Sequence, residues 1–324
     1  MPSLTLLRFG VDLSIIIVNW NTSSILKDCL ESLFKQTYDI SFEIIVVDNG
    51  SSDDSVLMVE NTFNKVILIQ NRENRGFAVA NNQGIRIARG KYILFLNSDT
   101  IVLDGAIQRT LKYAESSDDI GVVGCRVLNS DGTLQPTCFM YPSALNLLIA
   151  TTYLNKLFPK SRLFGREKMT WWDRSSFKEV DVVTGCFMLV RTEIVKLIGG
   201  FDEKYFLYGE ETDFCFRAAN IGKKLSFTPD AEIIHLGGGS SRHMKADMIL
   251  QGRASLLLFI RQHKSLAEYL LSCFLLSMNG AIRVPYYCVR YLFSKDKKEC
   301  LVRINAYTTG TFKALRGWEA LKYK

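Results

Sequence analysis

Three groups of polar residues in this chain have the types and spacing needed for chemistry on a diphosphate. An acidic cluster of Glu210, Glu211 and Asp213 follows an aromatic run. One apolar run ends close to Asp99, and another ends at His235, one of only three histidines. A carboxylate can hold a divalent metal, a second can accept a proton, and an imidazole can complete the metal site. This combination suits the transfer of a group away from a diphosphate.

The segment Asn97-Ser98-Asp99 is the candidate metal site. Mg²⁺ or Mn²⁺ prefers one or two carboxylates together with phosphate oxygens of the substrate, which Asp99 at a strand end would satisfy. Asn97 is a neutral ligand at best. The alternative for this segment is a turn that caps the next helix. For His235, which precedes a glycine-rich loop, the alternative is a purely structural histidine.

Asp48 ends a further apolar run and is followed by the small polar loop 49–55. A carboxylate there can accept a hydrogen bond from a pyrimidine N–H or a ribose hydroxyl, and small residues let the backbone approach a nucleotide. The alternative is a strand-to-helix turn in which Ser51 or Asp53 caps the helix.

Residues 71–85 join Arg75 and Gly76 to the start of a predicted helix. A helix N-terminus and Arg75 would face a diphosphate, and Gly76 permits close approach of the backbone. The segment lacks both the GxGxxG and the GxxxxGK[ST] patterns, so this signal is weak by itself.

In the acidic cluster, Glu210 and Asp213 lie three residues apart and share a face of a predicted helix, whereas Glu211 points elsewhere. Aromatic residues flank the cluster on both sides, which indicates partial burial and therefore a carboxylate with a tuned pKa. The alternative is a solvated helix start, where acidic residues favour the helix dipole.

Strand and helix patterns alternate around these residues. The patterns predict strands at 13–20, 42–48, 65–71, 91–102, 179–191 and, as two short strands, within 224–238. They predict helices at 23–36, 54–64, 76–90 (closed by Gly90), 192–201 and 213–222 (closed by Gly222). Such an order favours a parallel sheet covered by helices on both faces, with ligands at the carboxyl ends of the strands. Those ends carry Asn19, Asp48, Asn49, Asn71, Asn97 and Asp99.

Charge is concentrated at the C-terminal end of the chain. The 324 residues carry a net charge of +7, yet residues 261–324 hold 12 Lys and Arg against 4 acidic residues. The apolar stretch 269–282 is too short for the ~20 residues of a membrane span, and Arg283 and Pro285 interrupt it. This pattern suits a helix in the interface of an anionic membrane; the alternative is a helical pair that completes the fold or forms a homodimer. No nucleic acid partner is expected, because the basic residues are interleaved with apolar ones.

The eight cysteines have no CxxC pair and no regular framework, and the N-terminal residues lack the pattern of a signal peptide. We therefore expect reduced thiols and a cytoplasmic protein, either free or peripheral on the inner face of the cytoplasmic membrane.

Taken together, these motifs resemble the family 2 glycosyltransferases, and most strongly the bacterial rhamnosyltransferase-like branch. The matching segments occur in the family's order over about residues 12–240: SIIIVNWN, VVDNGSSDDS, NRGFAVANNQGI, LFLNSDT, TGCFMLVR, GGFDEKYFLYGEETDFCFR and the strand of His235. The resemblance implies the α/β GT-A (nucleotide-diphospho-sugar transferase) fold, with a mainly parallel, Rossmann-like sheet and a C-terminal helical extension. The implied domains are a glycosyltransferase domain at 1–244, with a nucleotide-binding half at about 1–125 and an acceptor half at about 126–244, and the basic, apolar extension at 245–324.

The resemblance also implies roles for single residues. Asp48 would bind the nucleotide base, and Asp99 with His235 would hold Mg²⁺ or Mn²⁺ in a DxD-type motif. The implied donor-binding set is Asn19, Asp48, Asn49, Ser51, Asn74, Arg75, Gly76, Asn97, Ser98 and Asp99. The family signature is Glu-Asp-x-Asp, with its second acid as general base; here that position holds Glu211, and Asp213 is the alternative base.

The implied activity is an inverting transfer of a sugar from a nucleotide-sugar donor, dTDP-L-rhamnose or another such as a UDP-hexose or UDP-galactofuranose. The acceptor would be a glycan or a lipid-linked glycan in the synthesis of a bacterial surface polysaccharide. A second interpretation is a non-catalytic module that binds a nucleotide sugar or glycan. A nucleotidyltransferase is disfavoured, because the N-terminal loop has no Arg-rich or Gly-rich segment for a triphosphate.

Overall fold

The computed structural model describes residues 10–237 and 245–317. Within them the strands are β1 (Val11–Asn19), β2 (Phe42–Asp48), β3 (Ile67–Gln70), β4 (Gly90–Asn97), β5 (Thr100–Val102), β6 (Ile120–Leu128), β7 (Lys178–Glu179), β8 (Phe187–Arg191) and β9 (Lys224–His235). The helices are α1 (Ser23–Gln36), α2 (Ser55–Thr62), α3 (Phe77–Ile87), α4 (Ala106–Glu115), α5 (Ala144–Thr151), α6 (Leu154–Leu157), α7 (Thr192–Ile198), α8 (Glu210–Asn220), α9 (Lys245–His263), α10 (Leu266–Phe293) and α11 (Lys297–Leu315).

The described strands form one sheet in the order β3-β2-β1-β4-β8-β6-β9-β5, with β7 beside β9. Strands β1, β2, β3, β4, β6 and β9 run in one direction, and β5, β7 and β8 run in the other. The predicted mainly parallel sheet is confirmed. The reversed strand β8 sits in its middle, between β4 and β6.

Continuous apolar strands place side chains on both faces of the sheet, because successive residues point in opposite directions. Leu13, Ile15 and Ile17 of β1 pack on one face against α1, α2 and α4, while Ile16 packs on the other against α3. The two faces together bury the central strands, whereas the edge strand β3 stays partly exposed.

A third apolar core lies among the C-terminal helices. It joins α9, α10 and α11 and also takes in Ala144, Leu147 and Tyr205 from earlier in the chain. The division at residue 244 stays a prediction, and the extension is packed against α5 rather than separate from it. No helix in the two described ranges is long and apolar enough to cross a membrane.

Gly90 does not close α3, as the sequence predicted. The helix ends at Ile87, and Gly90 is the first residue of β4. A Cβ on Gly90 would lie 2.4 Å from the backbone nitrogen of Ser14, so glycine is required by the close approach of β4 to β1. Gly222, in contrast, follows α8 with a φ of 81°, as expected for a glycine after a helix end.

Other element boundaries also differ from the sequence pattern. Of the predicted strand 179–191, Glu179 belongs to the short strand β7 and Phe187–Arg191 forms β8, while the residues between them lie outside both strands. The two strands predicted within 224–238 are one strand, β9, whose register against β6 shifts near Pro229 because proline has no N–H to donate. Helix α10 continues through Pro285 to Phe293.

Candidate active site

The carboxyl ends of β1, β2 and β4 lie side by side. The pairing sets Asn19 opposite Asp48 and Val18 opposite Asn97. Because the three strands are parallel, their polar ends meet at the same edge of the sheet, where ligands bind in folds of this class.

Asn19, Asp48 and Ser51 form a buried hydrogen-bonded group at this edge. Asn19 Nδ2 donates to Asp48 Oδ1 over 3.0 Å, and the backbone N–H of Ser51 donates to Asp48 Oδ2 over 2.9 Å. Ser51 makes these contacts ahead of α2, whereas the Asp53 carboxylate accepts from the backbone N–H of Ser55 at the start of that helix. The N-cap of α2 is Asp54, so neither Ser51 nor Asp53 holds that position, and the Asp48 carboxylate is held in a fixed orientation.

A second group of amides continues from the first. Asn49 Nδ2 donates to Asn74 Oδ1 over 2.9 Å, and Asn49 Oδ1 accepts from the backbone N–H of Arg75 over 3.0 Å. The Arg75 side chain is exposed. Gly76 has a φ of +87°, and a Cβ there would lie 2.7 Å from the backbone oxygen of Phe206, so only glycine fits. This contact joins the predicted nucleotide loop to the aromatic run that leads into the acidic cluster.

Asp99 and His235 are in direct contact. Pairing of β5 with β9 brings them together, so that Asp99 Oδ1 lies 3.1 Å from His235 Nε2. Asn97 Nδ2 lies 3.3 Å from the same ring nitrogen. Ser98 points back to the first group, with its Oγ 3.2 Å from Thr22 Oγ1. The segment 97–99 and His235, which the sequence resemblance assigns to one metal site, are thus in contact.

Sequence analysis missed Gln135, which orients His235. Gln135 Oε1 lies 2.6 Å from His235 Nδ1, and Gln135 Nε2 donates to Asn129 Oδ1 over 2.8 Å. The amide oxygen can only accept, so Nδ1–H donates to it, and this contact turns Nε2 toward Asp99, the orientation that a metal ligand would need. A single glutamine in an irregular segment carries no pattern that would have marked it.

Glu210 and Glu211 begin α8 directly after Gly209, which has a φ of 84°. The backbone N–H of Gly209 donates to Glu211 Oε2 over 3.1 Å. Burial and repulsion by Glu211 raise the pKa of Glu210 well above its usual range, and burial also raises the pKa of Glu211. Glu210 is buried and Glu211 is partly exposed, so the second carboxylate is the accessible member of the pair.

Cys186 connects the acidic pair with the Asp99 cluster. Its backbone oxygen accepts from the N–H of Asn97 over 3.2 Å. Burial raises the pKa of the Cys186 thiol to about 11, and the nearby carboxylates of Asp99 and Glu211 act in the same direction. A Cβ on Gly185 would lie 3.9 Å from the Cβ of Glu211. Asp99 and Glu211 therefore flank the same short segment.

Asp213 is engaged elsewhere. Its Oδ2 is 2.7 Å from the Arg217 guanidinium, its Oδ1 is 2.7 Å from His263 Nε2, and the residue is 1% exposed. Arg217 also donates to the backbone oxygens of Ile198 and Gly200. This ion-paired group fastens α8 to the loop after α7 and to α9. His263 was not singled out by the sequence.

Two of these side chains suit a divalent cation. Two ligand atoms at right angles on an octahedral cation, each at ~2.1 Å, lie ~3.0 Å apart, close to the 3.1 Å between Asp99 Oδ1 and His235 Nε2. No group of three or more His, Cys, Asp and Glu residues able to hold a metal occurs in 10–237 and 245–317. A pair of protein ligands with substrate oxygens and water completing the shell is ordinary for Mg²⁺.

The fold is shared with solved glycosyltransferases. The mannosyltransferase PcManGT of Pyrobaculum calidifontis, determined in complex with GDP-Man and Mn²⁺, superposes with a TM-score of 0.57 over 95% of this chain and 88% of its own. Sequence identity is 15%, so this likeness concerns the fold alone. The protein has the GT-A fold.

The sequence identifies the family. The profile described as Glycosyl transferase family 2 matches residues 14–197, more than half of the chain. The chain belongs to this family.

Two relatives illustrate the range of similarity. GlyG, a glycosyltransferase of Streptococcus pneumoniae, is 34% identical over 117 residues, which are 35% of this chain; the chain spans 38% of the length of GlyG. The N-acetylglucosaminyl-diphospho-decaprenol L-rhamnosyltransferase of Mycobacterium tuberculosis is 23% identical over 267 residues, which are 78% of this chain and 85% of the relative.

Proposed function

We propose that the protein is an inverting glycosyltransferase. It transfers a sugar from a nucleoside-diphosphate donor to a hydroxyl group of a glycan or lipid-linked glycan acceptor. The observation that carries this proposal is that Asp99 and Glu211 both lie near the segment 185–186, in which the Cys186 backbone oxygen accepts from the N–H of Asn97 at the end of β4. This proximity supports a diphosphate site and a proton acceptor that serve one bound substrate.

The donor would lie along the ends of β1, β2 and β4. The Asp48 carboxylate, fixed by Asn19 and Ser51, suits the nucleotide base or ribose. The exposed Arg75 side chain suits the diphosphate, because a guanidinium matches phosphate oxygens. Asp99 and His235 would hold Mg²⁺ or Mn²⁺, which neutralises charge on the departing diphosphate.

Glu211 is the proposed general base. The acceptor oxygen forms a bond to the anomeric carbon, the bond from that carbon to the diphosphate breaks, and the acceptor proton moves to Glu211. Burial raises the pKa of Glu211 above the ordinary glutamate value of 4.5, which improves its strength as a base near neutral pH. Turnover should therefore fall on acidification, at a higher pH than for an exposed glutamate.

The alternative base, Asp213, is less suited to this role. Arg217 and His263 occupy its two oxygens at 2.7 Å each, and the group is inaccessible. Glu210 is buried, and burial together with repulsion by Glu211 raises its pKa well above the usual range, which favours the neutral form of Glu210. In that form Glu210 limits the negative charge beside Glu211.

We further propose dTDP-L-rhamnose as donor and a lipid-linked glycan as acceptor, in the synthesis of a surface polysaccharide. The support is the similarity to the M. tuberculosis relative, an N-acetylglucosaminyl-diphospho-decaprenol L-rhamnosyltransferase. A UDP-hexose or UDP-galactofuranose is the competing donor. A cytoplasmic site on the inner face of the membrane would give the enzyme access to both substrates.

The test is release of nucleoside diphosphate from a panel of nucleotide sugars, with Mn²⁺ or Mg²⁺ and a lipid extract as the source of acceptor. Release should be specific to one donor. Glu211→Gln should lower it by about 10²–10⁴-fold while leaving donor binding intact. Glu193→Gln, at an exposed position in the first turn of α7, is the matched control and should keep wild-type turnover.

If the protein binds a nucleotide sugar but turns over none of the donors, the proposal is wrong and the protein is a non-catalytic binding module. Full turnover in Glu211→Gln would remove Glu211 as the base.

A further inference from the structure

The solvent-facing side of α10 is almost entirely apolar. This 28-residue helix exposes ten large apolar side chains: Leu266, Leu270, Leu271, Phe274, Met278, Ile282, Tyr286, Val289, Leu292 and Phe293. Arg290 is its one exposed charged residue. A helix that faces water normally carries polar residues on its outer face, and a large exposed apolar patch marks an interaction site.

A segment far away in sequence extends this face. Residues 144–163 pack beside α10, with Asn279 Nδ2 donating to Thr151 Oγ1 over 3.2 Å and the Arg283 guanidinium 5.2 Å from the centre of the Tyr153 ring. They expose five more large apolar side chains: Leu145, Leu148, Leu157, Phe158 and Leu163. The exposed side of α10 and residues 144–163 together form what we term the apolar–basic surface.

The charge of this surface is mostly positive. Residues 144–163 and α10 contain five basic residues: Lys156, Lys160, Arg162, Arg283 and Arg290. Their one acidic residue is Glu268, which is partly buried in the first turn of α10 and accepts from the backbone N–H of Ala144. A purely structural helix pair has no need of such a bias, whereas an anionic partner would exploit it.

Positive charge also lies beneath the surface. Arg253 of α9 is buried, donates to Asn279 Oδ1 over 2.8 Å and stacks on the Tyr307 ring at 4.5 Å. Burial lowers the pKa of Arg253 to about 10, and its Nη1 has no hydrogen-bond partner in the described part of the chain. The groups that act on it electrostatically are Tyr307 and Arg283, neither of which is a carboxylate.

We propose that the apolar–basic surface docks on an anionic lipid bilayer, with α10 lying in the plane of the headgroups. Apolar side chains would enter the acyl boundary and the basic residues would meet the lipid phosphates. A second copy of the chain fits less well, because a symmetric contact would bring the same basic groups together from both sides.

This surface is linked to the candidate active site through α9. Ser255 Oγ of α9 donates to the backbone oxygen of Leu207, just before the acidic cluster, while Arg253 of the same helix contacts α10. Docking would hold Glu211 at a fixed distance from the bilayer. A lipid-linked acceptor would then reach the base from the membrane side, a consequence that rests on the proposed function.

Vesicle flotation of the full chain tests the docking without any donor or acceptor, so its outcome is independent of catalysis. Wild type should bind vesicles of phosphatidylglycerol and phosphatidylcholine, bind pure phosphatidylcholine vesicles much less, and dissociate as salt is raised. Phe274→Glu should weaken binding more than tenfold. The pair Lys160→Gln with Arg290→Gln should weaken it roughly 25-fold, because each basic residue near the surface contributes about fivefold.

Leu197→Glu is the matched control, since Leu197 is 71% exposed on α7 outside the surface, and it should bind as wild type. Thermal unfolding checks that each variant is folded. The proposal is overturned if wild type does not bind anionic vesicles, or if the Phe274 and basic variants bind unchanged. A stable dimer in sedimentation that Phe274→Glu dissociates would assign the surface to a second copy instead.

Discussion

Two aspartate–histidine pairs in this protein have nearly the same geometry and different surroundings. Asp99 Oδ1 and His235 Nε2 are 3.1 Å apart at the sheet edge, and Asp213 Oδ1 and His263 Nε2 are 2.7 Å apart between α8 and α9. The described neighbours of the His235 ring are the amides of Asn97 and Gln135. The second pair is joined by the Arg217 guanidinium.

The difference lies in the groups that hold each pair. Arg217 neutralises Asp213 and ties it to the backbone at Ile198 and Gly200, so the second pair is a structural clamp. The amides of Asn97 and Gln135 orient the His235 ring, as outer-shell groups orient histidines that bind metals, so the first pair suits a cation. The type and spacing of residues alone do not separate a clamp from a metal site, whereas their partners do.

The largest expected effect is on turnover, in Asp99→Asn. The amide keeps the size of the side chain but loses the charge that would hold the cation, so turnover should fall about a thousandfold, equivalent to several kcal/mol of lost charge stabilisation. The midpoint of thermal unfolding should change little. Steady-state assays beside thermal melts check this, and near-normal turnover would reduce Asp99 to a turn residue.

Asp213→Asn should affect stability more than turnover, the reverse of Asp99→Asn. Removing one partner of a buried ion pair leaves Arg217 uncompensated, so the free energy of unfolding should fall by about 3 kcal/mol. Chemical denaturation measures this change, with the exposed Asp230→Asn as control. Unchanged stability together with lost turnover would exchange the roles assigned to the two pairs.

A smaller effect is expected at Gln135. Gln135→Leu removes the acceptor for His235 Nδ1–H and should weaken metal affinity about 10–100-fold, as for other residues that orient metal ligands. Gln135→Glu restores an acceptor and should recover most of this loss. Gln108→Leu, which only frees backbone oxygens of Gln36 and Tyr38, is the control for losing an amide. If Gln135→Glu does not recover metal affinity, Gln135 has a purely structural role.

The smallest effect concerns stability at Glu210. Burial and repulsion by Glu211 raise its pKa in the folded state. A carboxyl whose pKa is higher in the folded than in the unfolded protein stabilises the fold fully at pH values below its unfolded pKa of about 4. That contribution is lost as the pH rises through the pKa of the folded state. Glu210→Gln should therefore be more stable than wild type at pH 8 and equal to it at pH 4. Melting curves of wild type and Glu210→Gln at the two pH values measure this. The same difference in stability at pH 4 and pH 8 would contradict a raised pKa for Glu210.

The sheet edge was largely predictable from the sequence. Apolar runs that stop at Asn19, Asp48 and Asn97 have to end at a common edge if the strands are parallel, and they do. His235 was also predictable as a strand end. The reversed strand β8 was not, because an apolar run carries no information about its direction.

The supporting contacts were not predictable. Gln135 and His263 reach their partners through tertiary packing across long sequence separations, and neither stands in a periodic pattern. Gly90 was read as a helix end because glycine is common there, whereas close strand packing decides its place. The distinction between Glu211 and Asp213 as base also required the positions of Arg217 and His263.

The most direct test of the comparison is Mn²⁺ binding followed by electron paramagnetic resonance in the presence of a nucleoside diphosphate. Wild type and Asp213→Asn, at a temperature where both are folded, should bind one Mn²⁺ with similar affinity, and Asp99→Asn should lose it. Retention of Mn²⁺ by Asp99→Asn, or its loss in folded Asp213→Asn alone, would contradict the assignment of the metal site to Asp99 and His235.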